Sequence, residues 1–148
     1  MLSVLTTNQK GLVAETAIVH ECVKRGIGVA RPLDDAPYDL ILDLGSKLLR
    51  VQCKWAVRQG GVVVIRTGRC RRGREGNIIH RSYGPDEIDA IAAYCLDTGR
   101  CYLLPHELSV NRSLVQLRLA PAKNNQAEGI RWARDHDLGA TLSALQGP

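Results

Sequence analysis

Asp39, Gln52 and Lys54 are the residues whose types and spacing first point to chemistry. Gln52 and Lys54 lie two positions apart in "LLRVQCKWAV", residues 48 to 57, in which every second residue is apolar. This alternation predicts a strand with one buried face, so the two side chains share the opposite face. A carboxylate, an amide oxygen and an ammonium group on one surface can hold a divalent cation and orient water for attack on a phosphodiester.

The dipeptide Gly45-Ser46 decides whether Asp39 joins that surface. It separates the strand from an earlier predicted strand, "YDLILDL". If the dipeptide forms a tight hairpin turn, paired positions sum to 91, as in 44 + 47 and 39 + 52. Asp39 then faces Gln52, with the two Cβ atoms about 5 Å apart on one face. A slip of one residue would separate them, so the prediction depends on the turn.

The first helix is predicted to bring a second carboxylate. "NQKGLVAETAIVHECVKRG" reads as a helix that ends at Gly26, a residue suited to a C-cap. On a helical wheel Glu15 falls among the apolar residues, which are Leu12, Val19, Cys22 and Val23. A carboxylate on an apolar face needs a partner, which a metal ion or Lys54 would supply.

These residues together predict a magnesium site of oxygen ligands. We expect Asp39, Gln52, the backbone carbonyl of Cys53 and Glu15 to bind Mg²⁺, for which Mn²⁺ can substitute, and Lys54 to orient or help deprotonate the attacking water. Each member also has an ordinary structural interpretation. Asp39 could be a turn residue, the Gln-x-Lys pair a solvated face, and Glu15 an ion-pair partner of Lys54 or Arg50. The shared face and the order in the chain favour the metal site.

The helix Glu followed by Asp-x12-(Glu/Asp/Gln)-x-Lys across a hairpin resembles the PD-(D/E)XK nuclease superfamily. The chain most resembles the small group I intron homing endonucleases of that class, which also have Gln at the middle position. The resemblance runs through "GLVAE", "YDLILD", "VQCK", "EIDAIAAY", "CYLLP" and "NNQAEGIRWA". Tyr38, rather than Pro, precedes Asp39, and Gln52 replaces an acid. The resemblance implies a restriction-endonuclease-like core, a Mg²⁺-dependent site at Glu15, Asp39, Gln52 and Lys54, and assembly as a dimer of dimers.

Residues 66 to 81 are predicted to bind DNA because six arginines accompany a single acid, Glu75. Arginine pairs with phosphate oxygens and guanine edges, and aromatic residues are too few to support stacking on single strands, so duplex DNA is favoured. At the start of a predicted last helix, amides could also reach DNA, although Asn125 and Glu128 have capping-box spacing. The candidate DNA-binding residues are Arg66, Arg69, Arg71, Arg72, Arg74, Arg81, Lys123, Asn124 and Gln126.

The composition fits one folded domain spanning residues 1–148. No apolar run reaches the roughly 18 residues that cross a bilayer. The first residues, "MLSVLTTNQK", lack a basic region followed by an apolar stretch, so we expect no secretory signal in them. Five scattered cysteines without a C-x-x-C pair are typical of reduced thiols, which predicts a cytoplasmic, organellar or nucleoid location. A net charge of +5 mildly favours a polyanionic partner.

The order of predicted elements indicates an α/β or α+β fold around a mixed central sheet flanked by helices. Besides the elements named above, "IGVARPL", "GVVVIRTG", "RCYLLP" and "SLVQLRL" are predicted as strands. "GPDEIDAIAAYCLDTG" and "NQAEGIRWARDH" are predicted as helices, and the final ten residues as frayed.

The sequence therefore predicts a sequence-specific, double-strand DNA endonuclease of the homing type. Because one small domain with one site must cut two strands, we expect a homo-oligomer, either a dimer or a dimer of dimers. A Holliday-junction-resolving nuclease, a restriction-like nuclease and a catalytically silent DNA-binding module are the alternatives.

Overall fold

The computed structural model describes residues 4–72, 74–76, 78–124 and 128–147, without the side chains of residues 69–72 and 78–80. Its elements, in chain order, are α1 (Thr7–Lys24), β1 (Gly28–Ala30), β2 (Leu40–Asp43), β3 (Leu48–Gln59), β4 (Val62–Arg66), β5 (Arg69–Arg72), β6 (Ile78–Arg81), β7 (Ala90–Cys95), β8 (Arg100–Pro105), β9 (Leu114–Arg118) and α2 (Leu138–Gln146). Two 3₁₀ helices, His106–Ser109 and Ala133–His136, precede β9 and α2.

Strand β3 is the centre of a mixed seven-stranded sheet, as predicted. It pairs antiparallel with β2 and β4 and parallel with β7, while β1, β8 and β9 extend the sheet outward. A separate two-stranded hairpin, β5–β6, is formed by the arginine-rich segment. Among the described residues, no helix is long and apolar enough to be a candidate membrane span.

The turn at Gly45-Ser46 gives the predicted register. Leu40 pairs with Val51 and Asp43 with Leu48, so every pair of β2 and β3 sums to 91. Gly45 has a φ of +87°, which glycine adopts without steric cost, and its N–H donates to the Asp43 carboxylate at 2.8 Å. A hairpin this tight leaves the strands no room to slip.

Two apolar layers cover the two faces of the sheet. On one face, α1 and α2 pack Ile18 and Leu142 against the odd-numbered residues of β3, such as Val51. On the other face, Ile65 and Leu117 pack around Ala56. A capping box at Thr6 and Gln9 starts helix α1, which carries Glu15.

Three predicted elements are wrong. The run "AIAAYC" is strand β7 and not part of a helix, because it lies between β3 and β8 and is buried on both faces. Only one turn forms before it, where Glu87 and Ile88 donate to the carbonyl of Gly84. Residues 128–132 are not helical, and Trp132 forms an isolated parallel bridge with Arg118. The chain end is not frayed, because α2 buries Leu138 and Leu142 in the core.

Candidate active site

Asp39 lies immediately before β2, and its side chain reaches across to β3. Its N–H donates to the carbonyl of Val51 at 2.9 Å, and its Oδ2 accepts the N–H of Cys53 at 2.8 Å. The N–H and carbonyl of one strand residue point to the same edge of the strand. The carbonyl of Cys53 therefore points toward the edge where the Asp39 carboxylate lies.

Gln52 and Lys54 stand on one face of β3, as the alternation predicts. The Lys54 ammonium donates to the carbonyl of Gly68 at 2.7 Å and lies 5.5 Å from the centre of the Tyr83 ring. Within the described part of the chain, the half-buried Gln52 amide makes no hydrogen bond, which leaves its carbonyl oxygen available to a ligand.

Glu15 approaches strand β3 from the helix side of the sheet. Burial, followed by the negative charges of Asp39 and Glu15, raises the pKa of the Cys53 thiol well above its ordinary value. Asp39 contacts Cys53 directly at the strand edge, whereas Glu15 acts on the thiol through its charge from the helix side. The ion-pair partner of Glu15 is Arg31, with Nη2 and Oε1 2.8 Å apart, rather than Lys54 or Arg50.

The helix face that carries Glu15 differs from the predicted one. The buried residues of α1 are Ala14, Ile18 and Cys22, while Leu12 and Val23 are more than half exposed. Glu15 is therefore at the margin of the buried face, where its side chain is only 21% exposed. This position lets the carboxylate reach both Arg31 and the neighbourhood of β3.

The donor atoms at this edge fit a hard divalent cation. No group of three or more His, Cys, Asp or Glu side chains within the described residues could hold a metal by itself. The amide oxygen of Gln52 and the carbonyl of Cys53 would have to complete the set with Asp39. Mg²⁺ suits such a set, because it takes one or two carboxylates and keeps several of its waters.

A set of contacts that the sequence does not predict fixes the residues around Lys54. The ring of Tyr83, which lies near the Lys54 ammonium, is almost fully buried. The backbone carbonyl of Tyr83 is 2.6 Å from Nε2 of the buried His106. The backbone N–H of His106 donates to the carbonyl of Asp89. Nothing in the sequence marks His106, because no nearby residue has the spacing of a metal ligand or a catalytic partner.

Arg50 and Asp89 fix the segment that leads into β7. Asp89 accepts from the N–H, Nε and Nη2 of Arg50 at 2.8, 3.1 and 3.0 Å. The guanidinium also donates to the carbonyls of Pro85 and Asp86. These hydrogen bonds hold the pKa of Asp89 below its ordinary value.

The candidate DNA-binding residues lie at the surface wherever their side chains are described. Arg66, Arg74 and Arg81 are exposed, and Arg81 pairs with Glu87 at 2.7 Å, so the arginines are not all free of acids. Lys123 and Asn124 are exposed in a turn and do not begin a helix. The side chains of Arg69, Arg71 and Arg72, and all of Gln126, lie outside the described residues.

Three residues missed from sequence, Asn111, Arg112 and Ser113, lie beside these arginines. They line a groove of about 520 Å³ together with Gly68, Ser82, Arg66 and Arg81. Because Gly68 holds Lys54, the groove begins next to the candidate site. No local pattern marks these residues, since the fold brings them to the β5–β6 hairpin from a distant loop.

Comparison with known proteins identifies a family and a similar structure. Residues 5–139 match the model of a PD-(D/E)XK endonuclease family. The solved structure of a bacterial homing endonuclease, I-Ssp6803I, is similar with a TM-score of 0.74 and 26% identity, over 97% of this chain and 96% of that chain. No curated protein matches the sequence. Because the family model covers residues 5–139 of the 148, we conclude that the chain belongs to the PD-(D/E)XK endonuclease family.

Proposed function

We propose that this endonuclease cuts double-stranded DNA sequence-specifically in a Mg²⁺-dependent reaction of the homing type. The observation that carries the proposal is the Asp39 carboxylate, bonded to the backbone of Cys53 beside the side chains of Gln52 and Lys54. The similarity to a bacterial homing endonuclease along nearly the whole chain supports the homing type over other nucleases.

In the proposed reaction each residue of the site has a distinct role. Asp39 and Glu15 supply negative charge for the cation, while Gln52 and the carbonyl of Cys53 supply neutral oxygens. When bound, Mg²⁺ would polarise the scissile phosphate and acidify the attacking water. Lys54 orients that water or stabilises charge on the phosphate, with its ammonium positioned by the carbonyl of Gly68 and the ring of Tyr83.

A single site in a small domain implies a symmetric assembly. A duplex has two strands, and each cut needs its own catalytic centre, so we expect two or four copies of this chain to act together. Light scattering on the purified protein, alone and with duplex DNA, would measure the number of copies. A monomer in both conditions would contradict the expectation.

Cleavage assays with defined substrates test the proposal. A random-sequence duplex library and a set of four-way junctions are incubated with the protein in Mg²⁺, Mn²⁺ or a chelator. We expect recurrent cuts at one duplex sequence with either metal and none with the chelator. Preferential cutting of junctions would indicate a resolvase. Duplex binding without cutting in any metal would indicate a silent DNA-binding module.

A further inference from the structure

The turn between the 3₁₀ helix at His106–Ser109 and strand β9 is held rigidly. Asn111 has a φ of +58°, a backbone conformation that asparagine tolerates better than most residues. Thr67, which is 1% exposed, donates its hydroxyl to the carbonyl of Arg112 at 2.9 Å and its N–H to that of Ser113 at 3.1 Å. These two hydrogen bonds from Thr67 fix the backbone of the turn, while the side chains of Asn111, Arg112 and Ser113 are exposed. Such a turn presents polar groups at low entropic cost to a ligand.

Arg112 joins two neighbouring grooves. The first is the 520 Å³ groove beside Lys54, which Arg66 and Arg81 also line. The second has a volume of about 280 Å³, and its polar lining comes from Arg112, Gln116, Arg118 and Arg131. In the part of the chain that the structure describes, neither groove is lined by a carboxylate or an aromatic side chain.

The backbone places Arg118 and Arg131 side by side. The N–H of Arg118 donates to the carbonyl of Arg131 at 2.7 Å, and Arg118 forms a parallel bridge with Trp132. The Arg118 Nε donates to the carbonyl of Ala120 at 3.2 Å, which orients its guanidinium. Both residues line the second groove, which therefore gathers their positive charges with that of Arg112 and favours a bound anion.

We propose that Arg112, Arg118 and Arg131 form a phosphate-binding track that carries the DNA duplex away from the active site, beyond the β5–β6 hairpin. This inference rests on the proposed function, because it assigns these grooves to the same DNA. The track starts at Gly68, whose carbonyl holds the Lys54 ammonium, and continues past Arg112 into the second groove. Grooves lined by guanidinium groups and by no aromatic side chain of the described residues suit duplex phosphates rather than stacked single-stranded bases.

The salt dependence of binding tests the track. Affinity for a fluorescein-labelled duplex of random sequence is measured by anisotropy at several salt concentrations, with Ca²⁺ in place of Mg²⁺ to prevent cutting. Each phosphate contact adds about 0.9 to the slope of log K against log salt. We expect the slope to fall by about 0.9 in Arg112→Ala and by about 2 to 3 in the triple alanine variant of Arg112, Arg118 and Arg131. Arg112→Lys, which keeps the charge, should retain most of the slope.

Lys24→Ala is the matched control. Lys24 is an exposed cation on α1 that pairs with Glu21, so its removal should leave the slope unchanged. A slope unchanged in Arg112→Ala, or reduced equally in Lys24→Ala, would overturn the track, as would tighter binding of single-stranded DNA than of duplex. Arg112→Ala keeps the test valid if the triple variant unfolds, because the Arg112 side chain makes no hydrogen bond to the described residues.

The track and the proposed function can fail separately. A wild-type protein that shows the expected slopes but cuts no duplex in Mg²⁺ would refute the nuclease proposal and leave the track standing. A wild-type protein that cuts duplex DNA, with slopes unaffected in the variants, would refute the track alone.

Discussion

Replacing Asp89 by asparagine should destabilise the fold by about 2 kcal/mol at neutral pH. The carboxylate accepts three hydrogen bonds from Arg50. A hydrogen bond to a charged group contributes about 1.5–3 kcal/mol when shielded, whereas an exposed ion pair contributes up to about 1 kcal/mol. Because the side chains of Arg50 and Asp89 are about one-third exposed, we take a value of about 2 kcal/mol, near the lower end of the range for a shielded hydrogen bond to a charged group. Asparagine keeps one acceptor oxygen but loses the charge and one of the bonds.

The same contact predicts a pH dependence of defined sign. The pKa of Asp89 is lower in the folded protein than its ordinary value, owing first to the Arg50 side-chain hydrogen bonds. The contribution of Asp89 to the free energy of unfolding is therefore fully present above the ordinary pKa of Asp, and it is lost as the pH falls through the lowered pKa of the folded state. The difference between wild type and Asp89→Asn should be largest at pH 7 and shrink as the pH falls through the lowered pKa of Asp89.

Urea unfolding followed by circular dichroism at several pH values measures both effects. Asp35→Asn is the control, because Asp35 is exposed in a loop and its substitution should change the free energy of unfolding by less than about 0.5 kcal/mol. Equal stability of wild type and Asp89→Asn at pH 7, or a difference that grows as the pH falls, would refute the reasoning.

Three further predictions concern the site and the core. Gln52→Glu should tighten Mg²⁺ binding to the DNA-free protein in titration calorimetry, and Gln52→Ala should raise the Mg²⁺ concentration needed for half-maximal cleavage; equal affinity in wild type and both variants would remove Gln52 from the ligand set. Asp39→Ala should cost about 1–3 kcal/mol in urea unfolding, because the Cys53 N–H loses its acceptor, and Asp39→Asn should cost less; the reverse order would contradict the contact. Burial raises the pKa of Cys22 to about 11 and that of Cys101 to about 12, so mass spectrometry should find both thiols nearly unreactive toward iodoacetamide at pH 8 until the protein unfolds; rapid native labelling of either would contradict their burial.

The hairpin that carries Asp39 was predictable because its signals are local. Two residues, Gly45 and Ser46, set the register, and strict alternation in β3 set the faces of Gln52 and Lys54. The N-terminal helix was predictable from its cap and length. These features depend on interactions within a few residues, which sequence patterns report directly.

The wrong or missing predictions concern features that depend on tertiary contacts. Strand β7 reads as a helix because a strand buried on both faces loses its alternation, and alanines in it favour helix in isolation. Glu15 pairs with Arg31 because β1 places that arginine beside α1, and no residue spacing in the sequence predicts this ion pair. The turn at Arg112 joins the arginine-rich hairpin through Thr67, a contact across 45 residues of sequence.

Cleavage by Asp39→Asn under conditions in which it binds DNA tests the central claim most directly. Lys54→Ala is measured beside it, with wild type as reference, on the duplex that wild type cuts and at protein concentrations that saturate the DNA. Because asparagine can still accept from Cys53, folding and DNA affinity should stay close to wild type. Loss of a charge at the reacting centre should slow cleavage by at least about a hundredfold. Wild-type cleavage rates in Asp39→Asn would contradict the assignment of this site.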